Sequence, residues 1–367
     1  MKKFLKVGFV LLLLILASLI IHKTKEKELK EYILNKELRT IKPDWRGNLK
    51  IDGEFVNFDE KDEQKTPLDI FKWKVLSTNP QEDEKKADDF KLELIKGDEW
   101  VNSTEDMIVW LGHASFFIRL GGTSFITDPV FYDMFFIKRQ VGIPCEAERM
   151  TGLDYILLSH GHRDHFDKKT LDKLIAVNPE IEALVPLNNS SYFKKKGIDV
   201  QEAGWYQKFE TKNGVEVFFM PAKHWNRRGL FDFNQTLWGS FIIRYKGTTI
   251  YFAGDTSLGN HFKEIAEMFP NIDYCLLPVG AYKPVNIMQE AHLSPQEAYQ
   301  AFNLLGGKTF IPMHFGTYDL GDEPLGEPER VLKAFADKRI RILKVGEVLQ
   351  YEANNSTEEI KQESLAD

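Results

Sequence analysis

Cysteine is scarce in this chain: 367 residues hold two, Cys145 and Cys275, and neither stands in a Cys-x-x-Cys or comparable ligand spacing. A thiolate metal module is therefore excluded, and at most one disulfide remains open. Cys275 lies inside the apolar run 274–277 and reads as a buried core thiol. An excess of positive charge is also lacking. Lys and Arg number 48 against 55 Asp and Glu, a net charge of -7, so the basic stripe of a nucleic-acid groove is not expected and no nucleic-acid partner is assigned. Hydrophobic content of 43% is ordinary and allows a sizeable core.

One long uncharged run occurs, residues 7–21, behind Lys2, Lys3 and Lys6. It falls slightly short of the roughly 20 residues of a full span. Residues 1–22 are expected to be an N-terminal apolar helix acting as a membrane anchor, because no small-x-small cleavage site and no lipobox cysteine follow. The alternative is a signal segment cleaved from a secreted protein. The leading lysines are expected to place the rest of the chain outside the cytoplasm, although Lys23, Lys25 and Lys27 oppose that orientation. Residues 23–99 are expected to be an extension that opens with a juxtamembrane helix from His22 to about Leu38, where Leu29, Tyr32, Ile33 and Leu34 fall at helical spacing. Residues 81–89 read as a solvated loop, residues 100–352 as the main domain, and residues 353–367 as a disordered polar tail.

Within the main domain the periods of two and of three to four alternate. Residues 107–111, 115–120 and 123–127 read as strands, the last two joined by Gly121-Gly122, a pair suited to the positive φ of a tight hairpin. Helices are expected over 169–177, 190–196, 261–268 and 295–305. The last opens with Ser294 as N-cap, Pro295 in the first turn and Glu297 as reciprocal partner. Periodicity supports an α/β chain with mixed sheets and nothing finer.

The most concentrated chemistry lies in Ser159-His160-Gly161-His162-Arg163-Asp164-His165-Phe166-Asp167, after the apolar strand 155–158. His160 and His162, two apart, can face one ion as the chain leaves a strand. Asp164 and His165, displaced around the turn, can face a second. Imidazole with carboxylate suits zinc and also admits iron or manganese. So many titratable groups behind a buried strand would stay unsatisfied without a cation. Asp167 is placed to cap the helix that follows.

His-x-His-x-Asp-His after a strand resembles the signature of the metallo-β-lactamase superfamily. Three further words fit: Lys223-His224-Trp225, Gly254-Asp255-Thr256 and Met313-His314-Phe315, each after a strand-like run. The resemblance implies a four-layer αβ/βα sandwich holding two Zn2+ ions. By it, His160, His162 and His224 would hold the first, Asp164, His165 and His314 the second, and Asp255 would bridge them. The words Gly112-His113-Ala114-Ser115, Thr127-Asp128-Pro129, Leu237-Trp238-Gly239-Ser240 and Gly280-Ala281-Tyr282 with His292 are similar to the branch of phospholipases D that hydrolyse N-acylphosphatidylethanolamine. His113 and Asp128 are then expected behind the metal ligands, as hydrogen-bond partners.

What the resemblance implies about activity is a dinuclear hydrolase, a phosphodiesterase of phospholipase D type in which a hydroxide bridging the metals attacks phosphorus. Asp164 and His292 are the expected catalytic residues, with His292 orienting the headgroup or protonating the leaving oxygen. Trp225, Arg227 and Arg228 are expected to touch substrate, the arginines through phosphate. The resemblance implies a phospholipid substrate, which the expected membrane anchor would hold near the site. The alternative is a lactonase or esterase of the same fold acting on a soluble small-molecule ester. A non-catalytic metal-binding membrane protein is disfavoured by the complete ligand set.

Overall fold

The computed structural model describes residues 29–58, 69, 72–229 and 231–351. Two seven-stranded sheets dominate. The first runs, edge to edge, through Val200–Ala203, Glu182–Pro186, Tyr155–Leu157, Thr123–Thr127, Ser115–Leu120, Met107–Gly112 and Val348–Gln350. The second runs through Thr309–Met313, Tyr274–Pro278, Thr248–Phe252, Ser240–Tyr245, Glu216–Met220, Gln207–Phe209 and Arg39–Thr40.

Successive side chains of a strand point to opposite faces, and the first sheet shows what that does here. Ile108, Trp110, Phe116 and Ile118 join the main core shared with the second sheet, whereas Val109, Leu111 and Phe117 join a separate apolar cluster with Leu171 and Leu174 of the helix Lys168–Val177. Both faces are thus buried, which explains unbroken apolar strands such as Met107–Gly112. The second sheet is covered by Phe262 and Ile265 of the helix His261–Met268 and by Ala298, Ala301 and Phe302 of the helix Pro295–Leu304. Helix, sheet, sheet and helix make the four-layer αβ/βα sandwich of the metallo-β-lactamase fold.

Parallel pairing joins Thr123–Thr127, Tyr155–Leu157 and Glu182–Pro186 in the first sheet, and Thr248–Phe252, Tyr274–Pro278 and Thr309–Met313 in the second. Parallel neighbours need crossover connections, so their carboxyl ends gather along one edge, where loop residues can converge. Local signals hold at several joints. Gly121 and Gly122 take φ of 60° and 74° in the expected hairpin, and Asp167 caps its helix by accepting from the Lys169 and Thr170 amides. Ser294 and Glu297 bond reciprocally at the start of Pro295–Leu304. Both cysteines are free thiols, Cys275 buried and Cys145 part-exposed.

Three expectations change. The juxtamembrane helix is not formed in its described part: Lys30–Ile33 is a strand, paired antiparallel with Asn48–Ile51, because a partner strand outweighs weak helical spacing. The loop expected at 81–89 contains a short helix, Glu82–Ala87, whose acidic first turn, basic last turn and Glu82–Lys86 pair at 3.0 Å suit the helix dipole. The anchor expected at residues 1–22 lies outside the described residues, as does the tail 353–367. Among the described residues no helix is long and apolar enough to cross a membrane. Lys168–Val177 and Pro295–Leu304, with 10 residues each, reach about half the length a span requires. The expected membrane attachment, and the extracytoplasmic placement that rested on it, find no membrane-spanning helix among the described residues and are corrected to that extent.

Candidate metal centre

Each candidate ligand follows the end of a strand. His160, His162, Asp164 and His165 leave the first sheet after Tyr155–Leu157, while His224, Asp255 and His314 leave the second after Glu216–Met220, Thr248–Phe252 and Thr309–Met313. The fold brings these seven residues together across the gap between the sheets. His160, His162, His224 and Asp255 form one group of potential ligand atoms, and His113, Asp164, His165 and His314 form another, each within 4.8 Å. Asp255 stands between them. Its Oδ2 lies 3.9 Å from His160 Nε2, 3.8 Å from His224 Nε2 and 3.1 Å from His165 Nε2, and its Oδ1 lies 3.2 Å from His314 Nε2.

Hydrogen bonds behind the histidines decide which ring nitrogens face inward. The Ala291 carbonyl can only accept, so His224 Nδ1 at 2.9 Å donates and its Nε2 keeps the lone pair. Asp128 is wholly buried. Its carboxylate accepts from His165 Nδ1 at 2.7 Å and from the Ser159 hydroxyl at 2.5 Å, and Ser159 Oγ lies 2.9 Å from His160 Nδ1. With the hydroxyl proton on Asp128, Ser159 accepts from His160. One carboxylate thereby orients two histidines with Nε2 inward, the arrangement that metal-binding imidazoles require. His113 Nε2 lies 3.2 Å from Asp164 Oδ2, and His113 itself is held through its amide by Thr317 Oγ1 at 2.8 Å. His113 and His314 both adopt left-handed backbone, with φ of 55° and 64°, a conformation that non-glycine residues keep mainly where the surroundings enforce it.

A cation fits what the residues leave open. His165 Nε2, His314 Nε2 and Asp255 Oδ1, which face the cluster, are buried without a hydrogen-bond partner, a costly arrangement unless an ion completes it. The charge states divide the same way. Burial holds His160 and His224 well below the usual imidazole value and His162 at about 4, so these three are neutral near pH 7. Burial opposes charge on His165 and His314 as well, but Asp255 and Asp164 outweigh it, lifting His165 far up and His314 to about 9. Burial likewise disfavours charge on Asp164 and Asp255, yet the surrounding histidines hold both well below the carboxylate range.

The remaining candidates lie at the rim. His292 Nδ1 is buried, unpartnered and 3.8 Å from Asp255 Oδ2. The Trp225 ring meets His162 edge-on at 4.4 Å and stacks on Phe233 at 5.9 Å. Arg228 Nη1 donates to the carbonyls of Gly161 at 3.0 Å and Phe166 at 2.9 Å, bracing the histidine loop, while Arg227 Nε donates to Gly229. Sequence reasoning missed Ser159, which stands in the motif itself, and Asn226, whose Oδ1 accepts from the Gly161 amide at 3.1 Å. A serine between a strand and a histidine run was the available signal for the first. Asn226 had none beyond its place in the loop.

Convergence of seven imidazole and carboxylate groups, five of them buried and His162 and Asp164 part-buried, between two sheets of this fold defines a metal-dependent hydrolase with a dinuclear site. A family model described as a beta-lactamase superfamily domain matches residues 123–315, and the chain belongs to the metallo-β-lactamase superfamily. Within it the chain is similar to N-acyl-phosphatidylethanolamine-hydrolyzing phospholipase D 1 of Caenorhabditis elegans, 33% identical over 67% of this chain and 74% of that one. It is also similar to the mitochondrial N-acyl-phosphatidylethanolamine-hydrolyzing phospholipase D of Saccharomyces cerevisiae, 29% identical over 83% of this chain and 63% of that one. Among solved structures, a possible metal-dependent hydrolase from Veillonella parvula shares the fold with a TM-score of 0.57 at 14% identity, over 67% of this chain and 100% of that one.

Proposed function

We propose that the protein is a phosphodiesterase of phospholipase D type, acting on N-acylphosphatidylethanolamine-like phospholipids with two zinc ions. The likeness to the nematode phospholipase carries the choice of substrate. The seven-residue cluster supports the chemistry. His160, His162 and His224 would hold one ion and Asp164, His165 and His314 the other, with Asp255 shared. When bound, the pair of ions polarises a phosphoryl oxygen and makes a water-derived nucleophile available near neutral pH.

The chain's own residues do the rest. Asp128, directly on His165 and through Ser159 on His160, fixes the direction of both rings with Nε2 toward the cluster. Burial holds His292 at about 4, so it is neutral near pH 7 and meets a phosphate oxygen or the leaving ethanolamine oxygen as a hydrogen-bond donor from one ring nitrogen. Asp164 is pinned by His113 and would be held in place for the second ion. Trp225 and Phe233 present an apolar wall beside His162, suited to an acyl chain.

The test is product identity. The zinc-loaded full chain, mixed with N-acylphosphatidylethanolamine in detergent, should yield phosphatidic acid and N-acylethanolamine by mass spectrometry, and Asp255→Ala should yield neither. Intact phospholipid beside an opened lactone or a cleaved simple ester would keep the hydrolase and overturn the phospholipid.

A further inference from the structure

Residues ahead of the family-matched span enter the centre. After the small sheet of Lys30–Ile33, Asn48–Ile51 and Glu54–Phe55, the chain passes beside the loop that carries His224. The Phe55 amide donates to the Asn234 carbonyl at 2.8 Å, and Phe58 stacks on Trp205 at 4.3 Å. Between them Asn57 is buried against His224. Its Nδ2 donates to the His224 carbonyl at 2.9 Å, and its Oδ1 accepts from the His224 amide at 3.2 Å and from Trp238 Nε1 at 3.2 Å. A main-chain amide only donates and a carbonyl only accepts, so the orientation of the carboxamide is fixed by its partners.

His224 lies outside any strand, so no neighbouring strand supplies partners for its buried main chain. One side chain from far away satisfies both groups, while the Ala291 carbonyl fixes the ring. Between them these bonds aim Nε2 at the cluster, 3.2 Å from His162 Nδ1. The same device recurs on the opposing loop, where Asn226 and Arg228 take the amide and the carbonyl of Gly161, between His160 and His162. Those clamps come from the adjacent loop; Asn57 comes from outside residues 123–315.

We infer that Asn57 is a positioning residue for the metal centre: by holding the main chain of His224 at both ends it makes the N-terminal extension part of the site for one of the two ions. This rests on reading the cluster as a dinuclear site. Its consequence is selective, because the side-chain hydrogen bonds of Asn57 go to His224 and Trp238 and, among the described residues, none goes to Asp164, His165 or His314.

The experiment is metal titration of the chelator-stripped full chain. Cobalt(II) is followed by its visible absorption, and zinc by competition with a chromophoric chelator, for wild type, Asn57→Ala, Asn57→Asp and Phe58→Ala. Wild type should bind two ions. Asn57→Ala should keep one at wild-type affinity and weaken the other by roughly 10–100-fold, the range seen when an outer partner of a metal ligand is removed, with an altered cobalt spectrum for that ion alone. Asn57→Asp, which keeps an oxygen for the His224 amide, should fall between. Phe58→Ala, which removes the neighbouring stacking contact, should leave both affinities unchanged. Wild-type affinities in Asn57→Ala, equal weakening of both ions, the same loss in Phe58→Ala, or an unfolded Asn57→Asp by far-ultraviolet circular dichroism would each overturn the inference. No uptake by wild type would overturn the metal centre itself.

Discussion

Asp128 touches none of the inward-facing ring nitrogens, yet it sets the direction of two histidines at once. Replacing it with asparagine puts an amide where His165 and Ser159 both need an acceptor. The expected cost is roughly 10–100-fold in metal affinity or turnover, read by chelator competition and by rate. Protonation gives a second prediction at this scale. Near pH 7 the apo centre carries neutral His160, His162 and His224 but protonated His165 and His314. A ligating imidazole must lose its competing proton, so metal uptake at pH 7 should release about two protons, both from the second group. Affinity should climb with pH through about 9, where His314 deprotonates. Calorimetry in buffers of different ionisation enthalpy counts those protons, and a count near zero would mean that His165 and His314 are already neutral in the apo protein.

Among the elements, the helix Lys168–Val177 follows the histidine loop directly, and Asp167 ends the one by starting the other. Asp167→Ala frees the Lys169 and Thr170 amides and should cost about 1 kcal/mol of stability, seen as a lower denaturation midpoint, with bound metal still at the wild-type level. Simultaneous loss of metal would mean that the cap also holds the loop. This is also the scale at which sequence was most legible. Tyr155–Leu157, Thr248–Phe252 and Thr309–Met313 announce themselves as short apolar runs, and the candidate ligands stand within a few residues behind them, so strand ends and family motif are legible together. The strand Lys30–Ile33 was read as helix because its pairing with Asn48–Ile51 is non-local, and spacing within a segment carries no trace of a partner. Asn57 was missed for the same reason: a single asparagine in an aperiodic stretch acquires its meaning only when the fold sets it beside His224.

For the whole molecule, the centre joins the two sheets, since the candidate ligands divide between loops of both. Ions that bind the folded site and not the unfolded chain stabilise by mass action, about 4 kcal/mol when free metal stands a thousandfold above its dissociation constant. Stripping with a chelator should therefore lower the thermal midpoint, and zinc should restore it; an unchanged midpoint would contradict a centre shared by both sheets. The superfamily fold was legible because its motif is dense and local. The N-terminal anchor expected from composition lies outside the described residues, and no described helix has the apolar length to replace it.

Hydrolysis at phosphorus can be put to a single trial by running the reaction in 18O-labelled water and weighing both products. One 18O should appear in the phosphatidic acid and none in the N-acylethanolamine, because the bond broken joins phosphorus to the ethanolamine oxygen. Label in the N-acylethanolamine would place the attack on carbon and contradict the mechanism.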